Sequence, residues 1–72
     1  MESSHPPEET IGQKIKRFRN NKDLTQEALA RRADIPYATL VKIESDAVEN
    51  PSIKTVKKIA SGLDITIDEL IS

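Results

Sequence analysis

The side chains that carry covalent chemistry are nearly missing from this sequence. It has no cysteine, so it offers no thiolate nucleophile, no disulfide and no thiolate metal site. Its single histidine, His5, has no partner for a metal site. No base-and-nucleophile pair, Gly-rich phosphate loop or metal-ligand cluster appears, which argues against an enzyme and leaves no cofactor to expect. Charge is what the chain has in quantity, and it is unevenly placed. Residues 14–58 hold all 11 Lys and Arg against 6 acids (Asp23, Glu27, Asp34, Glu44, Asp46, Glu49), which leaves +5. Glu2, Glu8 and Glu9 at one end and Asp64, Asp68 and Glu69 at the other bring the whole to -1. A basic body between acidic ends is compatible with a polyanion partner, although helix surfaces of small domains are commonly just solvated charge.

Those charges need a scaffold, and 72 residues are enough for one small domain only. Residues 1–9 contain Pro6-Pro7 and nothing that could anchor a core, and are expected to form a disordered tail before a domain over 10–72. Thr10 and Gln13 fit a capping box, and Ile11, Ile15 and Phe18 recur along one helix face. That first helix should fade at Asn20–Lys22, with Asp23 suited to a left-handed position. Thr25 can cap a second helix bearing Ala28, Leu29, Ala30 and Ala33, whose small side chains let another helix come close. Asp34-Ile35-Pro36 ends it, and Pro36 can open the next.

A third helix is expected from Tyr37 to about Ser45, with Leu40 and Ile43 inward. Only about three residues separate it from the second, which forces a tight helix-turn-helix. After the loop Asp46–Pro51, Ser52 can cap a fourth helix with Ile53, Val56, Ile59, Ala60 and Leu63 inward, ending near Gly62. Thr66 and Glu69 form a second capping box, opening a fifth helix with Ile67, Leu70 and Ile71. No strand-like alternation competes. The fold class read from these signals is all-α, five short helices around one core. No apolar run approaches the ~20 residues that span a bilayer, and no signal-peptide segment appears, so a soluble, cytoplasmic domain without membrane contact is expected.

The stretch from Leu24 to Glu44, LTQEALARRADIPYATLVKIE, resembles the Cro/lambda-repressor-like helix-turn-helix family, often called Xre. The matching pieces are Ile15 with Phe18-Arg19, Leu24-Thr25-Gln26, Leu29-Ala30, Thr39-Leu40, Ile43-Glu44, Asn50-Pro51-Ser52 and Asp68-Glu69-Leu70. Each piece is common, but their order and spacing together are specific, and they run from about Ile11 to Ile71. The resemblance implies a lambda-repressor-like DNA-binding domain whose third helix lies in the major groove while the second crosses the backbone. Its function would be sequence-specific binding of double-stranded DNA in transcriptional regulation.

Site residues follow from that docking. Gln26 matches a family glutamine that reaches phosphate, at a helix N-terminus whose N–H groups and dipole suit an anion. Tyr37, Ala38, Val41 and Lys42 are the outward positions of the third helix. Lys42 can donate to guanine or to phosphate, Ala38 can touch only a thymine methyl, and Tyr37 can reach phosphate or a base edge. Val41 and Tyr37 could equally shield the core in part. Arg19 and Glu44 match a structural ion pair that ties the first helix to the end of the third.

Three departures from the family pattern bear on affinity. Pro36 stands where Ser or Thr is frequent, Asp34 replaces a turn glycine, and Asp46 and Glu49 occupy a loop that is often basic. The family commonly binds as dimers, and a homodimer face could come from the fifth helix, where Ile67, Leu70 and Ile71 exceed what one-sided packing needs. The acidic loop and the net charge of -1 favour an alternative, a protein-interaction module such as an antitoxin or partner-binding domain on the same fold.

Overall fold

The computed structural model describes residues 9–72. The tail expected over residues 1–9 therefore lies outside the described residues except for Glu9. The Glu9 carboxylate accepts two hydrogen bonds from Arg17, at 2.8 and 3.0 Å. This hydrogen bonding raises the Arg17 pKa above its ordinary value; burial works against the shift and the charge of Glu9 adds to it.

Among the described residues the chain forms α1 (Ile11–Asn21), α2 (Gln26–Ala33), α3 (Tyr37–Glu44), α4 (Ile53–Leu63) and α5 (Ile67–Ile71), with no strand. Hydroxyl caps begin four of them. Thr10, Thr25, Ser52 and Thr66 each accept a backbone N–H three residues on, and Thr10–Gln13 and Thr66–Glu69 close reciprocal capping boxes. The third helix starts differently. Pro36 precedes it with φ -61°, which presets the chain for a helix, and no side chain caps the first turn. Leu29, Leu40, Ile59, Leu63, Leu70 and Ile15 are fully buried, with Ile43 close behind, and Ala30, Ala33, Val56 and Ala60 fill the gaps between helices. Ile11, Phe18, Leu24, Ile35, Ile65 and Ile67 close the rim.

Among the described residues the left-handed positions all belong to aspartate. Asp23, Asp34, Asp46 and Asp64 have φ of 56°, 58°, 67° and 62°, and neither glycine among the described residues has positive φ. Short Asp side chains tolerate this region better than most non-glycine residues. The fourth helix ends near Gly62 as expected, and what this corrects is the residue that caps it. Gly62 does not stop it; α4 continues through Leu63, and Asp64 is the left-handed cap. Gly62 is used instead for close approach, because a Cβ there would lie 3.0–3.1 Å from the backbone N and Cα of Ala33. The α2–α4 contact, the most extensive in the molecule, thus runs through Ala33 and Gly62, and Arg32 Nε adds a 2.9 Å hydrogen bond to the Gly62 carbonyl. A second correction concerns Ile53, expected inward but 64% exposed. It is the first residue of α4, and burial on that helix begins at Val56, three residues on.

Candidate nucleic-acid interface

α2 and α3 are joined by Asp34, Ile35 and Pro36. Asp34 reverses the chain in its left-handed conformation, and the Ile35 N–H donates to the Ala30 carbonyl at 3.0 Å. Ile35 packs on the core rim while Leu40 and Ile43 anchor α3 from below. The inward pair fixes the rotation of α3 about its axis, and so fixes which residues face out. Tyr37 is 50% exposed, Ala38 and Lys42 are exposed, and Val41 is half-buried. On a helix, Tyr37 and Val41 are one turn apart, as are Ala38 and Lys42, so the four make one continuous outer surface.

The far end of α3 is held by a buried polar cluster. Arg19 Nε donates to Glu44 Oε2 at 2.8 Å and Arg19 Nη2 to Oε1 at 3.0 Å. The Glu44 side chain is 2% exposed and that of Arg19 11%. Arg19 Nη1 also donates to the Leu24 carbonyl at 2.8 Å, so one guanidinium joins α1, the chain entering α2, and α3. Gln26 completes the cluster: its Nε2 donates to Glu44 Oε1 at 3.1 Å. The structure therefore gathers Arg19, Glu44 and Gln26 into one network and sets Tyr37, Ala38, Val41 and Lys42 on a separate open surface.

The Gln26–Glu44 bond was not legible in the sequence, which suggested an outward contact only. An amide nitrogen carries two hydrogens, so Nε2 keeps one donor for a phosphate. The backbone N–H groups of the first turn of α2 lie beside it, with Thr25 Oγ1 accepting from Ala28 N at 3.0 Å. Gly12 was also missed as a packing residue. It is buried where α1 crosses the end of α3, and a Cβ there would fall on the Ile43 carbonyl oxygen and within 2.9 Å of Asp46 Oδ1. Asp46, one of the loop acids, is thus turned partly toward α1, whereas Glu49 is exposed. Lys16, Lys22, Arg31, Lys42, Lys54 and Lys57 are exposed and could meet phosphates. No group of three or more His, Cys, Asp or Glu among the described residues could hold a metal ion, and no helix there is long and apolar enough to cross a membrane.

The arrangement has close counterparts. The family model described as helix-turn-helix matches residues 15–70. The immunity repressor protein of Bacillus phage phi105 is 37% identical over 62 residues, covering 86% of this chain and 42% of the relative. The HTH-type transcriptional regulator SinR of Bacillus subtilis (strain 168) is 34% identical over 61 residues, covering 85% of this chain and 55% of the relative. The chain thus spans about half the length of these curated relatives. Among solved structures, SinR, the master regulator for biofilm formation, in complex with DNA, superimposes with a TM-score of 0.83 at 33% identity. That match covers 88% of this chain and all of the other. The match to most of the chain, with the five-helix fold in the same order, places this protein in the helix-turn-helix family, among its Xre/Cro-like DNA-binding domains.

Proposed function

We propose that this domain binds double-stranded DNA sequence-specifically and serves a transcriptional regulator, reading the major groove with α3. The observation that carries this is the outer face of α3, left open by the core and held at a fixed rotation, in a fold shared with a protein solved on DNA. In this reading Tyr37, Ala38, Val41 and Lys42 meet base edges or adjacent phosphates. Gln26 and the first turn of α2 bind one phosphate. Arg19 and Glu44 touch no DNA and hold the two helices in register.

The domain would act in pairs, since half-sites one helical turn apart need two copies about 34 Å apart. A face on α5 is narrower than the sequence suggested. Leu70 is fully buried in the core, so the face rests on Ile71, 51% exposed, and the rim of Ile67. A protein partner is the second reading, favoured by Val48 and Ile53, exposed at 36% and 64% near the acidic loop.

A salt titration separates the two. Binding to a duplex selected from random DNA should weaken linearly on a log–log plot, with a slope of about -0.9 per phosphate contacted. Absence of duplex binding at low salt would favour the protein partner.

A further inference from the structure

The sequence of α3 is YATLVKIE, and its chemistry is unusual for a helix that reads bases. It contains no Asn, Gln or Arg, and Lys42, in its last turn, is the one side chain able to donate twice to a purine edge, at guanine O6 and N7. Two polar groups reach out from its open face, the Tyr37 phenol and the Lys42 ammonium. Between them lie the methyl of Ala38, exposed, and the methyls of Val41, half-buried. Ala38 and Val41 are three residues apart and Tyr37 and Val41 four, so their apolar surfaces adjoin. Ala38 stands in the first turn, the part of such a helix that approaches base edges.

An apolar strip against base edges discriminates in two ways. The one apolar group that an unmodified base pair shows in the major groove is the thymine C5-methyl. Facing any other edge, the strip would take donors and acceptors out of water and return no hydrogen bond. We propose that this domain reads thymine through its C5-methyl group, with Ala38 and Val41 as the contact surface. The inference rests on the groove-reading role proposed above and adds the base and the group recognised. Lys42, one turn beyond Ala38, then supplies the polar half of the recognition.

The test removes single methyl groups. A duplex site is selected from random DNA with the full chain, and each thymine is replaced in turn by deoxyuridine, which keeps every hydrogen-bonding group. Burial of one methyl corresponds to about a fourfold change in affinity, so one or two thymines in the site should show a loss of that order. The loss should shrink toward none in Val41→Ala at one position or in Ala38→Gly at another, with both variants checked for folding by circular dichroism. A scan flat within about twofold, a selected site without thymine, or losses that persist unchanged in both variants would overturn the inference. The groove-reading role would survive each of these results as long as the selected site is still bound more tightly than unrelated duplex. Failure to bind any duplex at low salt would instead overturn that role, and this inference with it.

Discussion

The two ends of α3 are built on opposite principles. At its start a proline replaces the hydroxyl cap used by the other four helices, and Tyr37 and Ala38 project into solvent. At its finish Ile43 is 1% exposed, Glu44 accepts hydrogen bonds from Arg19 and Gln26, and the backbone of α1 passes so close that only glycine fits at position 12. One end is clamped at Ile43 and Glu44, while the other presents Tyr37 and Ala38 to solvent. The separation lets stability be set at the foot of the helix while residues near its head stay free to vary. A buried ion pair gains little net stability over an apolar pair of equal size, because removing two charges from water offsets most of their attraction. Its contribution here is geometric: a guanidinium fork and a carboxylate meet well in few orientations, so the pair fixes where α3 ends.

The comparison breaks most readily at Glu44. In Glu44→Ala the Arg19 guanidinium remains buried without its counter-charge, and Gln26 loses its acceptor. Denaturant melts should show a loss of about 3–5 kcal/mol. The matched change at the other end, Tyr37→Ala, should stay within about 0.5 kcal/mol, as for surface sites without special features. Similar losses at both ends would remove the distinction. Gly12→Ala comes next. Its methyl would collide with a backbone carbonyl, which has no rotamer to yield with, so α1 and α3 must move apart. Overpacking of this kind costs about 1–3 kcal/mol. The DNA affinity of the folded variant should also fall, because the shift displaces the end that orients α3. A variant as stable as the parent would show that the α1–α3 approach is looser than the structure has it.

Much of this was readable in the residues, for reasons of range. Caps and turns act over three or four residues, so Thr10–Gln13, Thr25, Ser52 and Thr66–Glu69 marked four helix starts. The Arg19–Glu44 pair came from a family resemblance rather than from local pattern. What escaped were meetings between segments distant in sequence. Gly62 looked like a helix stop because glycine commonly ends helices, yet its lack of a side chain serves Ala33 of α2. Ile53 has the spacing of a core residue, but periodicity cannot tell where the opposing helix runs out. Gln26 looked wholly outward because the carboxylate it reaches lies 18 residues away. The outward face of α3 was legible because Leu40 and Ile43 fix the helix rotation, and rotation alone decides which residues remain outside.

The smallest effect on stability is expected at Lys42, and the sharpest effects on recognition at Lys42 and Gln26. Lys42 is exposed on the open part of α3, and its loss should leave the fold intact. If it donates to a base, Lys42→Ala should weaken the best site by about 1–3 kcal/mol and relax preference at a single base pair. Gln26 belongs to both regions, since its amide is bonded to the clamped carboxylate and sits at the start of α2, where a phosphate contact is proposed. Gln26→Ala should weaken all sequences alike, because a phosphate contact positions the domain and carries no sequence information. The measurement is the affinity of each variant for the selected site and for every single-base change in it. If Lys42→Ala lowers all of them equally, Lys42 is a backbone contact and base reading falls to Tyr37, Ala38 and Val41. Gln26 allows one step more. If Glu44 aims the Gln26 amide at phosphate, then Glu44→Gln, which keeps the shape but not the charge, should weaken binding in the parent and add little once Gln26 is alanine. Additive losses in that double-mutant cycle would mean that the clamp and the phosphate contact are separate, and that α3 is held and used by independent parts of the molecule.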